Sequence, residues 1–329
     1  MHATPTDAPE TAAPRRVTGP SAQAPAPRPC PVCDAATGAS ESPAYAACGA
    51  CGARVSLVPE GSYDADYYYH GPEFDRRCRA RAAVQVRHLR RLRRAMGSAA
   101  PDGGPLRVLE LGCAKGFFVE AALAAGYDAR GVDLAEGAVA EGRRRGLEGH
   151  LFTADARGEL PAGCGSEFDL VVAWELLEHM DRPASFLATA AKHLRPGGWV
   201  TGSTPNGDSS WLRLLGRTWH GFDIPQFHRV YLGPESFATA AEDAGLAEPL
   251  TLSATEPAGD FLVKNLATGL ARRWFGSDSR PLRTALAAGL ALPALCAERL
   301  AGHLPALAGD TLLFAAQQPS EVPRSPIAS

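Results

Sequence analysis

Three groups of residues in this chain have the types and spacing that chemistry requires. The first is a pair of CxxC motifs, Cys30-Pro31-Val32-Cys33 and Cys48-Gly49-Ala50-Cys51, separated by 14 residues rich in Ala, Ser and Gly. Four thiolates so arranged can hold a tetrahedral zinc ion, and a site filled entirely by sulfur is closed and structural. The spacer has too few apolar residues for a core of its own, so a metal would replace one. Redox-active or incidental cysteine pairs are the other meaning of such motifs.

The second group begins at Val108-Leu109-Glu110-Leu111-Gly112, a buried-strand pattern running into the turn Gly112-Cys113-Ala114-Lys115-Gly116. Glycines there let a ligand approach the backbone, and the N–H groups that open the next helix favour an anionic group. Asp133 closes a second strand in Gly131-Val132-Asp133, where a carboxylate can accept both hydroxyls of a ribose. Asp155, after a third strand, can meet an adenine amine. Three strand ends in order therefore suit an adenosine-bearing cofactor. The dinucleotide fingerprint is GxGxxG, whereas here two glycines flank three residues and follow Glu110, which favours S-adenosylmethionine (SAM) over NAD.

The third group is Trp174-Glu175-Leu176-Leu177-Glu178-His179, with His228 further along. If helical, Glu175, Glu178 and His179 stand on one face at i, i+3 and i+4, a spacing able to hold a divalent cation. His179, His228 and Glu178 are the candidates for a base that takes a proton from an acceptor. A hydrogen-bonded structural pair is the commoner role of a histidine beside a carboxylate. Asp208, Trp211, Trp219 and His220 follow the fifth strand, where the rings either stack on an acceptor or anchor a loop to the core.

These segments resemble class I SAM-dependent methyltransferases, particularly bacterial members with an amino-terminal zinc ribbon. Phe168-Asp169-Leu170-Val171-Val172, Leu177-Glu178-His179, Leu194-Arg195-Pro196-Gly197-Gly198, Thr204-Pro205-Asn206 and Phe227-His228-Arg229-Val230-Tyr231 carry the resemblance beyond the glycine turn. It implies a Rossmann-like, seven-stranded α/β sheet with a final strand at Thr311 to Ala316 inserted antiparallel. Cofactor contact then falls to Glu110, Gly112, Cys113, Ala114, Gly116, Asp133, Leu134, Asp155, Ala156 and Trp174. Ala114 departs from the family, which often has glycine there.

The elements that position these groups follow from periodicity. Strands are expected near Leu106 to Leu111, Asp128 to Asp133, Gly149 to Thr153, Phe168 to Trp174, Trp199 to Ser203, Glu248 to Ser253 and Thr311 to Ala316, with helices between. From Phe74 to Met96, the stripe Phe74, Cys78, Ala82, Leu89, Leu92 and Met96 predicts a helix whose other face carries nine arginines. That face is either solvated or a phosphate grip. Tyr63 to His70 holds four of the seven tyrosines and reads as a lid or as a staple joining the ribbon to the main domain.

The resulting organisation is a tail at 1–29, a zinc ribbon at 30–60, a tyrosine-rich linker and arginine helix at 61–100, and a methyltransferase domain at 101–317. A helical insertion covers 257–308 and a second tail 318–329. A composition of 45% hydrophobic and 21% charged residues with net charge −3 argues against a polyanion partner. No apolar run approaches the roughly 20 residues of a membrane span. The expectation is a cytoplasmic enzyme methylating a small molecule, a hydroxyl of a sugar or specialised metabolite. The alternatives are carbon or nitrogen methylation and a ribbon-based RNA-binding protein. Nothing in the sequence sets the oligomeric state.

Overall fold

The structure is a computed structural model that describes residues 28–61, 71–97, 103–216, 224–254 and 309–320, with Trp219, Phe222 and isolated positions between 267 and 289. The tyrosine cluster, His220 and most of the expected helical insertion lie outside the described residues.

Three short strands, β1 (Thr37–Ala39), β2 (Tyr45–Cys48) and β3 (Arg54–Ser56), form an antiparallel meander around the cysteine motifs. The helix α1 (Gly71–Met96) follows. Val86 joins Ala82, Leu89 and Leu92 on its buried stripe, while Phe74, Cys78 and Met96 are half-buried at the ends. Every arginine of the run except the half-buried Arg93 faces solvent.

The main sheet alternates with helices in β4 (Arg107–Leu111), α2 (Phe117–Ala124), β5 (Asp128–Asp133), α3 (Glu136–Gly142), β6 (Leu151–Thr153), β7 (Phe168–Trp174), α4 (Pro183–Ala191) and β8 (Leu194–Pro205). After α5 (Ser210–Leu215) and the two-residue β9 (Val230–Tyr231) come α6 (Pro234–Asp243), β10 (Ala247–Ala254) and β11 (Thr311–Gln317). Its order is β10-β11-β8-β7-β4-β5-β6, parallel from β8 to β6, with β11 antiparallel to both neighbours. All seven expected strands are present. The fifth is longer than expected because Pro196, Gly197 and Gly198 are absorbed at a register shift opposite Phe168–Leu170.

β7 is buried at every position, as a central parallel strand covered on both faces must be. One face packs α1, α2 and α3 through Leu89, Leu92, Phe118 and Val139; the other packs α4 and α6 through Phe186, Leu187 and Phe237. The ribbon joins this second layer, since Cys30, Val32, Cys48, Cys51 and Val55 share one continuous apolar cluster with Leu111, Leu177 and Val230. β9 adds to the ribbon's sheet, giving the order β1-β2-β3-β9. Tyr45, Tyr231, Trp219, Phe222, Leu212 and Leu215 form a smaller core beside it. Trp219 is fully buried there, so packing decides the role left open for it.

Among the described residues, no helix is long and apolar enough to cross a membrane. The centre of the sheet leaves no room for a side chain at Gly202, where a Cβ would collide with the Ala173 carbonyl and meet the Phe314 ring at 2.9 Å. Gly202→Ala is expected to cost about 1–3 kcal/mol by overpacking, read as a lower denaturant midpoint at unchanged slope.

Candidate active site

The carboxyl edge of the parallel strands gathers the predicted groups. β4 ends in a turn held open by three left-handed residues: Gly112 (φ 75°), Ala114 (φ 46°) and Gly116 (φ 73°). Glycine suits 116, where φ 73° would strain any side chain and a Cβ would press on the Leu151 methyls at 2.7 Å. Ala114, where glycine would be unstrained, keeps its left-handed form because its N–H donates to Asp133 Oδ2 at 2.7 Å. Asp133 Oδ1 accepts from Ala135 N–H at 2.8 Å, so this carboxylate clamps the turn to the end of β5. Burial raises its pKa against the lowering by these two N–H groups. Lys115, almost wholly buried, anchors the turn through Asp75 of α1 at 3.1 Å and Glu141 of α3 at 3.0 Å.

Two features fit a cationic, adenosine-bearing cofactor. Glu110 is buried beneath the turn with Oε2 lacking any hydrogen-bond partner, and burial together with the Asp133 charge pushes its pKa well above the usual carboxylate range. A ligand carrying an ammonium or sulfonium would relieve that cost. Leu134, beside Asp133, leaves 63% of its surface exposed, an apolar face suited to an adenine ring. Trp174 is buried against Phe118 with its indole N–H unpaired, and Cys113 is a buried thiol packed against Gly131. At the end of β6, Asp155 is engaged by Arg157 through the backbone N–H, Nε and Nη2, so an adenine amine would share an occupied carboxylate. Ala156 is half-buried next to it.

Beyond β7 the chain departs from the helical reading. Glu175 adopts φ 48°, and only Leu177–His179 form a helical turn, of the 3₁₀ type. Glu175 therefore does not stand over Glu178 and His179; its carboxylate accepts from Ser203 Oγ at 2.6 Å. His228 takes the third place: ligand atoms of Glu178, His179 and His228 lie within 4.8 Å of one another. Glu178 is buried, accepts from Thr204 Oγ1 at 3.0 Å, and is pushed well above the usual carboxylate range by burial and the nearby Glu175 charge. His179 sits with Nδ1 3.0 Å from the Phe227 carbonyl, which fixes Nδ1 as donor and leaves Nε2 a lone pair 3.8 Å from Glu178. Burial lowers its pKa to about 4, so it is neutral at physiological pH. His228 bonds Tyr231 OH through Nδ1 at 2.8 Å and meets His179 edge to face at 4.9 Å. Two imidazoles and a carboxylate are a donor set for a divalent cation.

The two parts adjoin. A Cβ on Gly112 would lie 3.2 Å from Leu176, which links the turn after β4 to the segment carrying Glu178 and His179. Leu176, Ser203, Thr204 and Tyr231 stand in the sequence motifs without a role of their own, because their roles depend on neighbouring strand ends. The hydroxyls at 203 and 204 close a strand beside two acids, and that pairing was the available signal.

Residues 79–248, more than half of the chain, match a family model described as a methyltransferase domain. The chain belongs to this methyltransferase family. The ubiquinone biosynthesis O-methyltransferase of Bordetella pertussis is 35% identical over 164 residues, covering 46% of this chain and 65% of that one. Its namesake from Thiobacillus denitrificans is 32% identical over 176 residues, covering 48% and 72%. The chain thus spans just under two thirds of the first relative's length. A solved putative sarcosine dimethylglycine methyltransferase from Galdieria sulphuraria shows a loose likeness, with TM-score 0.46 and 14% identity over 73% of this chain and 86% of its own.

The cysteines form the other candidate site of this methyltransferase. Cys30 and Cys51 Sγ lie 3.6 Å apart and Cys33 and Cys48 Sγ 3.4 Å, close to the roughly 3.8 Å edge of a tetrahedral zinc–thiolate site. Burial raises the Cys30 and Cys51 thiols. Burial also opposes ionisation at Cys48, but the Cys51 and Ala50 N–H groups and the neighbouring thiols outweigh it and bring Cys48 down to about 7. Four clustered sulfurs with backbone N–H donors around them form an environment that a dication completes.

Elemental analysis of reduced protein is expected to find one zinc per chain, absent when Cys30 and Cys48 are both replaced by serine. Asp133→Ala removes the clamp on the turn and should abolish measurable SAM binding by calorimetry. Ala114→Gly releases a strained residue whose left-handed form costs about 1 kcal/mol; it is expected to leave the affinity equal or tighter.

Proposed function

We propose that this protein transfers the methyl group of SAM to a hydroxyl of a small molecule, a sugar or other specialised metabolite. The reading is carried by the adjacency of two unlike sites at one sheet edge. The glycine turn with the unpartnered Glu110 oxygen suits the cofactor, and Glu178, His179 and His228 suit an acceptor, with Leu176 between them. The O-methyltransferase name of the two relatives supports oxygen as the acceptor atom.

SAM supplies a methyl group on a sulfonium, and in-line displacement leaves a neutral thioether, so alignment of the acceptor is the protein's main task. Asp133 and Leu134 would hold the adenosine, and the unpartnered Glu110 oxygen would meet positive charge on the cofactor. A hydroxyl acceptor must also lose its proton. The neutral His179 Nε2 would receive it, with the Phe227 carbonyl fixing the ring; Glu178, oriented by Thr204 but pushed toward its neutral form, would accept a proton only once ionised. Alternatively, a divalent cation held by Glu178, His179 and His228 would ionise Glu178, take up the His179 Nε2 lone pair, and acidify a bound hydroxyl so that its proton passes to solvent.

The test is transfer of a labelled methyl group from SAM to a panel of phenols and sugar derivatives, with and without magnesium or manganese. The label is expected on oxygen. Glu178→Gln should slow turnover roughly a hundredfold while leaving SAM affinity within about twofold. Transfer only to carbon, nitrogen or RNA would overturn the acceptor assignment, and absence of SAM binding would overturn the whole reading.

A further inference from the structure

The segment from Pro225 to Tyr231 carries His228 and has almost no regular structure of its own, since only Val230 and Tyr231 are strand. Its backbone polar groups must nevertheless find partners, because buried N–H and C=O groups are costly when unpaired. Those partners come from two sides. The ribbon supplies one set: Ser56 N–H donates to the Arg229 carbonyl at 2.9 Å, Ser56 Oγ to the Pro225 carbonyl at 2.6 Å, Gly61 N–H to the Gln226 carbonyl at 2.9 Å, and Tyr45 OH to the His228 carbonyl at 3.1 Å. β3 pairs with β9 as Arg54↔Tyr231 and Val55↔Val230. The acceptor side supplies the other set: Arg229 N–H donates to the Glu178 carbonyl at 2.6 Å, and the Phe227 carbonyl accepts from His179 Nδ1.

The segment is thus a splint, with the cysteine ribbon on one edge and the Glu178–His179 turn on the other. Side chains tighten the same joint. Arg229 is buried with Nη1 2.6 Å from the Val58 carbonyl and Nε 3.0 Å from Asp181, so one guanidinium spans ribbon and turn. Tyr45 of β2 stacks on Tyr231 at 5.3 Å, and Tyr231 OH in turn bonds the His228 ring. By contrast, the side-chain hydrogen bonds and ion pairs that hold the cofactor turn come from β5, α1 and α3, none of them in the ribbon, which reaches that turn only through apolar packing around Leu111.

We infer that the cysteine ribbon is a positioning element for the acceptor side: a metal bound by Cys30, Cys33, Cys48 and Cys51 fixes β2 and β3, and through Tyr45 and Ser56 these fix His228 against Glu178 and His179. Tyr45, Ser56 and Arg229 are positioning residues that act through His228. The inference rests on the proposed role of Glu178, His179 and His228, and deepens it by making that cluster dependent on a metal site elsewhere. The acceptor half of the apparatus then depends on the metal held by these four thiolates, while the cofactor half does not.

The test uses full-length protein with histidine ring nitrogens labelled for NMR, amide exchange followed by mass spectrometry, and calorimetry with SAM. Three states are compared: wild type, wild type stripped by a chelator under reducing conditions, and Tyr45→Phe with its metal retained. Stripping is expected to shift the ring signals of both His228 and His179 and to speed exchange at Val230 and Tyr231 by about tenfold or more, with SAM affinity within about twofold. Tyr45→Phe, which removes one hydroxyl without a cavity, should shift the His228 ring signal alone among the ring signals.

Unchanged ring signals and exchange after stripping, or an unmoved His228 signal in Tyr45→Phe, would overturn the inference. Loss of SAM affinity together with the ring shifts would also overturn it, since the ribbon would then support the whole fold rather than one side. Wild-type protein that does not bind SAM at all fails the methyltransferase reading instead, a separate outcome.

Discussion

Four carboxyl groups, Glu110, Asp133, Glu175 and Glu178, crowd the carboxyl edge of one parallel sheet, and the arrangement around them follows from the cost of keeping them there. Burying a carboxylate without a counter-charge is expensive, so it takes up a proton or is wrapped in donors. Asp133 takes two backbone N–H groups, Glu175 takes the Ser203 hydroxyl and Glu178 the Thr204 hydroxyl. Glu110 keeps an oxygen with no partner, and Glu110 and Glu178 are both pushed toward their neutral forms. Such an edge is built for positive ligands. A sulfonium cofactor and a divalent cation each supply the charge that the protein withholds, and the two pairs of acids divide along that line.

Two of the five described non-glycine residues with left-handed backbone fall at the same places. Ala114 and Glu175 both adopt left-handed φ angles, one after β4 and the other after β7, where the chain must turn sharply to leave the ligand edge open. Residues of this kind persist only where surrounding bonds over-determine them, as the Asp133–Ala114 and Ser203–Glu175 contacts do here. Strain at the ends of two adjacent strands is the local cost of presenting side chains to a shared cleft.

What was legible in the sequence was whatever a local period encodes. The seven strands follow from apolar runs bounded by turns, and Asp133 follows from being the last residue of one of them. The helical reading of Glu175 failed because spacing of three and four residues says nothing about φ, and a positive φ at the first residue rotates it away from the other two. His228 was named, but its place beside His179 could not be derived. That place is set by pairing between β3 and β9, some 175 residues apart, and by a carbonyl of the same segment on the His179 ring. Trp219 was ambiguous for a similar reason: whether an aromatic faces ligand or core depends on Tyr45 and Tyr231, which only the ribbon brings near.

The joint between ribbon and sheet is best understood as three pieces that are each too small to persist alone. A two-residue strand cannot hold a register, and a meander of three- and four-residue strands has little apolar area. The 3₁₀ turn at Leu177–His179 is equally short. Joined, they share Val55, Leu177, Val230 and Leu232 in one buried cluster with the cysteines, so each piece supplies the surface that the others lack. The geometry of the histidine pair is then a property of the assembled joint rather than of any one element. Because β9 belongs to the ribbon's sheet and not to the seven-stranded one, this joint meets the strands that carry Gly112 and Asp133 through side-chain packing on Leu111 and Val132 rather than through strand pairing.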